Sequence, residues 1–251
     1  MSIELIGPRE LEALRAAGKV AAATLRFVGE RLRVGMTTLD IDRLVREDTV
    51  RHGGRPSQLG YKGFPAAVCT SRNHVVCHGM PSAGERLVSG DLINVDVTTE
   101  LAGFHGDTSA TFVIGEAAPD ALRLRALALR CLEAGIAAVR PGARLGDVGA
   151  AIEELARAEG CSVVRDFGGH GIGRRMHMEP HVAHVGPGGV GVRLKPGMTF
   201  TIEPMINLGR PEVRVLEDGW TVVTCDGSLS AQFEHTVHVT ADGCEVLTRQ
   251  G

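Results

Sequence analysis

The chain has 251 residues, of which 43% are hydrophobic and 23% charged, with a formal net charge of −3. This allows one large domain or two small ones around a substantial core. The charge balance gives no case for a nucleic-acid surface or an acidic ligand, and no run of 18 or more apolar residues is present to span a membrane.

Pro8 suits the first turn of a helix, and Leu11, Leu14, Ala17, Ala21, Leu25, Val28 and Leu32 extend its apolar face until Gly35. Thr38 can cap a second helix with Leu39, Ile41, Leu44 and Val45 inward, ending near Gly53. A loop rich in Gly, Pro and aromatics follows. Residues 66–77 and 91–114 read as strands, with a turn near Gly103. Helices are expected near 118–139 and 145–159, then strands at 161–166, 197–208, 212–217, 220–225 and 233–240. Asp218-Gly219 is a hairpin signal. No linker shows a composition shift, so the expectation is a single domain over residues 1–251 whose halves share one core.

The six cysteines (Cys69, Cys77, Cys131, Cys161, Cys225 and Cys244) form no C-x-x-C pair. That argues against a thiolate zinc site and for reduced thiols in a cytoplasmic protein. Residues 1–8 contain no basic stretch followed by an apolar run, so they do not read as a signal peptide.

An internal duplication appears at an offset of 107 residues. Gly84, Arg86, Leu87, Gly90 and Asp96 fall on Gly191, Arg193, Leu194, Gly197 and Glu203. Upstream, Arg33, Gly35, Asp40, Glu47 and Gly53 fall on Arg140, Gly142, Asp147, Glu154 and Gly160. The period is too long for a solenoid repeat of roughly 20–50 residues. Two similar halves, about 1–115 and 116–251, are expected to face each other across a pseudo-twofold axis, with Asp96 and Glu203 related by it.

Both acids interrupt apolar runs, at 92–97 and 198–205. A bare carboxylate in a buried strand costs several kcal/mol, roughly, unless it is paired or bound to a metal. The only lysines are Lys19, Lys62 and Lys195. Four carboxylates (Asp96, Asp107, Glu203 and Glu234) with one imidazole, His170, would suit two divalent cations side by side. Taken singly, each has a blander reading. Asp96 can be a strand acid satisfied by Arg or backbone donors, Asp107 an Asx-turn, and Glu234 half of a surface salt bridge. The glycine-rich segment 168–173 around His170 is either a backbone that approaches a ligand closely or a mobile loop. His78 and His177 are weaker candidates, and the other seven histidines stay unassigned. Phosphate-loop, serine-elbow and H-E-x-x-H motifs are absent.

Six segments, in this order, resemble type I methionine aminopeptidases in their short bacterial form. They are Val75-Val-Cys-His78-Gly, Ile93-Asn-Val-Asp96-Val, Gly103-Phe-His-Gly-Asp107-Thr-Ser, Gly168-Gly-His170-Gly-Ile-Gly, Gly197-Met-Thr-Phe-Thr-Ile-Glu203-Pro-Met and Ser228-Leu-Ser-Ala-Gln-Phe-Glu234-His-Thr. The resemblance spans nearly the whole chain. Only 32 residues separate His170 from Glu203, which leaves no room for the helical insert of type II relatives. On this resemblance the chain is expected to begin directly at the catalytic domain, without the N-terminal zinc-binding extension of some eukaryotic relatives.

The resemblance implies the duplicated α/β (α+β) "pita-bread" fold, a central antiparallel sheet flanked by helices. It implies a metal-dependent aminopeptidase that removes the initiator methionine from nascent proteins when the second residue is small. Asp96, Asp107, His170, Glu203 and Glu234 would hold two divalent ions, with Mn, Fe, Co and Zn all acceptable, and Asp107 and Glu234 would bridge them. Glu203 would act as general base, and His78 and His177 would contact substrate at the scissile amide. His177, protonated or through its N–H, would support the oxyanion. Tyr61, Phe64, Cys69, Met176 and Trp220 would line the methionine pocket, with Phe64 and Met176 departing from the residues usual there. A monomer is expected, since half-to-half packing already buries the duplicated surfaces. Ribosome contact goes with the family's role, although no basic tail points to it. An Xaa-Pro peptidase or a silent binding protein on the same fold are the rivals. The first usually carries an extra N-terminal domain, and the second loses metal ligands.

Overall fold

Local chemistry sets the helix starts in the computed structural model, which describes residues 3–249. Pro8 opens α1 (Pro8–Gly29), where the Glu10 carboxylate accepts the Gly7 N–H at 3.1 Å. Helix α2 is Thr38–Arg51, α3 Pro119–Ala137 and α4 Leu145–Ala158. Thr37 caps α2, one residue earlier than expected, because its hydroxyl accepts the Asp40 N–H at 3.1 Å while Asp40 accepts the Thr37 N–H at 2.9 Å. Helix α1 ends six residues short of Gly35, and Leu32 lies beyond it.

Fifteen strands are present among the described residues. The first five are β1 (Arg55–Pro56), β2 (Cys69–Arg72), β3 (Val75–Cys77), β4 (Leu92–Leu101) and β5 (Phe104–Val113). Next come β6 (Ser162–Val163), β7 (Gly169–Gly171), β8 (Met178–Val182), β9 (Thr199–Ile202) and β10 (Met205–Asn207). The last are β11 (Val213–Val215), β12 (Val222–Thr224), β13 (Ser230–Gln232), β14 (Glu234–Val239) and β15 (Cys244–Val246). The main sheet runs β1-β4-β5-β14-β9-β7-β8, with β2 on β4 and β15 on β14. All its pairings are antiparallel.

The 107-residue offset reappears in geometry. Helices α2 and α4 are both 14 residues long and start 107 positions apart. The bridge Thr37–Arg86 has its counterpart in Arg144–Arg193. The Arg86 guanidinium donates to the Gly35 carbonyl at 2.8 Å, and that of Arg193 to the Gly142 carbonyl at 3.1 Å. Gly35 and Gly142 adopt φ of 89° and 86°, in the left-handed region that favours glycine.

Alternation on the strands explains why acids interrupt apolar runs. Side chains two apart share a face. On β4, Ile93, Val95 and Val97 enter the core beneath α1 and α2, while Asn94, Asp96 and Thr98 face the other way. On β9, Phe200 and Ile202 join the core around α3 and α4, leaving Thr199 and Thr201 on the opposite face with Glu203 just beyond.

The strand expectations hold in outline, with corrections. Residues 66–77 form two short strands around a turn at Asn73 and His74, and 197–208 is split at Pro204 into β9 and β10. Strands β1, β7, β8, β13 and β15 lie outside the expected set. The Asp218-Gly219 turn is longer than a two-residue hairpin. There the Asp218 carboxylate accepts the N–H groups of Trp220 and Thr221, each at 2.8 Å.

Candidate metal centre and apolar side pocket

Register brings the acids together. Asp96 lies opposite Ser109 on β5, Ser109 opposite Glu234 on β14, and the pairing of His235 with Ile202 puts Glu203 level with Glu234. Three acids thus form a row across β4, β5, β14 and β9. Asp107 lies one row away, opposite Thr98. The Asx-turn alternative for Asp107 therefore falls, as does the surface alternative for Glu234, which is only 2% exposed.

His170 sits in strand β7 and not in a loop. The neighbouring glycines serve strand packing: a Cβ on Gly169 would come within 2.1 Å of the Thr201 carbonyl, and one on Gly171 within 2.1 Å of Glu179's. The His170 Nδ1–H donates to the Gly171 carbonyl at 3.1 Å, which leaves the Nε2 lone pair facing the carboxylates. Nε2 is 3.7 Å from both Asp107 Oδ2 and Glu203 Oε1. Ligand atoms of Asp107, His170 and Glu234 all lie within 4.8 Å of one another.

Each acid is aimed by a neighbour, Glu234 excepted. The Thr98 hydroxyl donates to Asp107 at 2.8 Å, and the Thr201 hydroxyl to Glu203 at 2.7 Å. The His170 N–H donates to Thr201 Oγ1 at 3.0 Å, so one threonine ties two site residues. Gln232 Nε2 reaches Glu203 at 3.3 Å, and the Glu203 N–H donates to His184 Nε2 at 3.1 Å. Gln58 reaches Asp96. These supporting residues were not singled out in the sequence. Thr98 and Thr201 stand two residues from an acid, so strand alternation could have found them. Gln232 stands two residues from Glu234 and carries the same signal, whereas Gln58 and His184 arrive from distant segments and carry none.

Burial pushes all four carboxyls up: Asp107 to about 7, Glu203 to about 8, and Asp96 and Glu234 well above the ordinary range, with mutual repulsion adding to the latter two. Among the described residues no Lys or Arg pairs with any of them, and Glu234 has no hydrogen-bond donor at its carboxylate. Four carboxylates, buried or partly buried, around a neutral imidazole and without a cationic partner suit hard or borderline divalent cations. Burial lowers His170 to about 4 and, with the neighbouring His170 and His78, lowers His177 to about 3. Both imidazoles are neutral near pH 7. Burial thus favours the neutral, N–H form of His177 over the protonated one.

The site opens into a cavity of about 250 Å³ lined by the five ligand candidates and by Tyr61, Phe64, Cys69, His78, Met176, His177 and Trp220, with Gln58, Lys62 and Thr98 in addition. Tyr61 stacks on His177 with ring centroids 5.0 Å apart, and Phe64 meets Trp220 edge-on at 5.1 Å. Phe64, Ala66 and Cys69 pack together with Met80 and Trp220 into one apolar wall. His78 has φ of 55°, a left-handed backbone unusual for a residue with a side chain.

Buried acids and a neutral histidine beside an apolar side pocket define the site of a metal-dependent hydrolase. Residues 12–241 match the model of metallopeptidase family M24, and the chain belongs to that family. It is 51% identical to methionine aminopeptidase A of Synechocystis over 98% of both chains. It is 46% identical to the methionine aminopeptidase of Escherichia coli, covering 99% of this chain and 94% of that one. The crystal structure of methionine aminopeptidase from Rickettsia prowazekii superposes with a TM-score of 0.97 at 46% identity, over 99% of this chain and all of that one. The expected pita-bread architecture holds, and the chain is an aminopeptidase of the hydrolase class.

Proposed function

We propose that the protein removes the N-terminal methionine from polypeptides, using two divalent cations held by Asp96, Asp107, His170, Glu203 and Glu234. The observation that carries this reading is a set of four carboxylates without a cationic partner, Asp107 and Glu234 buried and Asp96 and Glu203 partly so, opening directly onto a wall of Phe64, Cys69, Met176 and Trp220. Bound there, such cations supply Lewis acidity, which brings the pKa of a water toward neutrality and polarises a carbonyl.

Glu203 takes the proton from the attacking water and later delivers it to the departing amine. Its carboxylate is kept within reach by Thr201 and Gln232. His177 donates an N–H to the developing oxyanion, held in place by the Tyr61 ring. His78, fixed between Phe167 and Trp220, meets the amide nitrogen on the leaving side. The apolar wall accepts an unbranched thioether chain, a flexible and polarisable shape that fills such a gap. Crowding beyond it selects a small second residue.

All these groups come from one chain, so a monomer suffices. Six cysteines without a disulfide suit a reducing compartment, and we take newly made chains in the cytoplasm as the substrates. No helix among the described residues is long and apolar enough to cross a membrane.

The decisive experiment is turnover of Met-Ala-Ser by metal-stripped protein with Mn, Fe, Co or Zn restored, beside the dipeptide Ala-Pro. Metal-dependent release of methionine alone is the expected result. Cleavage of Ala-Pro would favour the Xaa-Pro peptidase, and no release by folded, metal-loaded protein the silent binding module. His177→Ala is expected to lower kcat by about 10²-fold with metal affinity unchanged. Turnover within a few-fold of the parent would remove His177 from this role. Because its imidazole stays neutral, no histidine ionisation assigned to it should appear in the kcat profile between about pH 5 and 8.

A further inference from the structure

Gln58 occupies a gap in the main-chain ladder of β4. Along one edge of that strand, β1 covers Thr99 and Glu100, while β2 covers Ile93, Asn94, Val95 and Asp96. Ser57 makes the last main-chain bond from the β1 side, its N–H donating to the Thr98 carbonyl at 2.9 Å. The chain then leaves the sheet. The Gln58 side chain takes over where the backbone stops. Its Nε2 donates to the Asp96 carbonyl at 2.9 Å, and its Oε1 accepts the Thr98 N–H at 3.3 Å. A carbonyl only accepts and a backbone N–H only donates, so the amide has one workable orientation.

That orientation leaves the second Nε2 hydrogen for the Asp96 carboxylate, whose Oδ1 is 3.3 Å away. The Cys69 sulfur, 3.9 Å from Nε2, closes the remaining side. Gln58 is 6% exposed and lines the cavity itself, so water cannot readily substitute. Asp96 differs here from Asp107 and Glu203, each of which has a threonine hydroxyl on its carboxylate. For Asp96 the corresponding donor comes from outside the sheet.

We propose that Gln58 is a positioning residue of the metal centre, its amide holding the Asp96 carboxylate at the angle needed to bind a cation and doing so by completing the β4 ladder. This rests on the metal reading given above. Groups that orient a metal ligand typically affect affinity by about 10–100-fold when removed. Only glutamine length fits, because the amide must reach both the Asp96 carbonyl and the Thr98 N–H. Asparagine keeps the chemistry and loses the reach. Methionine keeps the volume and loses the donors.

The test is calorimetric titration of metal-stripped parent, Gln58→Met and Gln58→Asn with Mn(II), together with the visible absorption of their Co(II) forms and the Tm of each stripped protein. Mn(II) affinity about 10-fold or more weaker in both variants, with an altered Co(II) spectrum, is the expected result. Affinity within two-fold of the parent and an unchanged Co(II) spectrum, whatever happens to Tm, would reduce Gln58 to a structural plug and overturn the proposal. Should Gln58→Met not fold, Gln58→Asn decides alone. Failure of the parent itself to bind Mn(II) or Co(II) would overturn the metal reading, and this inference with it.

Discussion

Glu203→Gln is expected to lower kcat/KM by on the order of 10³-fold or more while leaving the fold intact. A general base in the transition state contributes about 10²–10⁴-fold, and here the same carboxylate is proposed to hold a cation. The substitution is nearly isosteric. The oxygen of the introduced amide would still accept from the Thr201 hydroxyl, which donates at 2.7 Å to the parent residue. The new NH₂ would face Gln232, whose Oε1 is buried without a partner and becomes an acceptor once that amide turns over. Above about pH 8, where the parent carboxyl ionises, a neutral amide in this site also costs less than a charged carboxylate. The metal-free variant should therefore melt at or above the parent's temperature. Steady-state kinetics with saturating metal, run beside thermal melts, check both halves. Activity within ten-fold of the parent would remove Glu203 from the base role. A collapse in Tm would mean that the loss reflects folding instead.

The second large effect concerns metal removal and pH. In the metal-free folded chain Asp107 titrates at about 7 and Glu203 at about 8, raised mainly by burial. Unfolded carboxyls titrate near 4, roughly. The folded state therefore binds protons that the unfolded state has released. This contribution to stability is complete below about pH 4 and is lost as pH rises through 7 and 8. The buried histidines act in the opposite sense. His170, His177, His184 and His235 have folded values of about 3 to 4, so their contribution is complete above the unfolded value near 6.5 and is lost below it. Above about pH 6.5 the histidine contribution is flat and the carboxyls alone set the slope. The Tm of the chelator-treated protein should fall between about pH 6.5 and 8.5, by roughly 5–10 °C if a few kcal/mol are lost. Saturating Mn(II) should reverse this, since a cation displaces the protons and adds about 2.7 kcal/mol per site at one hundred times Kd. A stripped protein whose Tm rises over that range would show that the acids carry charge without help.

Much of the fold could be read from one dimension because its causes are local. Pro8, the Thr37–Asp40 capping box and the apolar stripes of α1 to α4 act over a few residues. Strand boundaries were less legible. Pro204 breaks a run that reads as continuous, and β7 hides in a glycine-rich segment that looks like a loop. Its glycines are needed because β8 and β9 come too close for a Cβ, a constraint that exists only once those strands are in place.

By itself the sequence determined which groups are available: four acids and a histidine in apolar or glycine-rich surroundings, a duplication pairing Asp96 with Glu203, and almost no lysine. Motif order was enough to point to the family. Only the tertiary structure decided how those groups are aimed and which charges they hold. Register between distant strands aligns Asp96, Glu234 and Glu203, and the Gly171 carbonyl selects the His170 tautomer. Burial makes His177 neutral, and Gln58 completes a ladder that its own strand abandons. Hydrogen bonds and desolvation depend on separations of a few ångströms between segments far apart in the chain, and those separations exist only after the two halves have closed on each other.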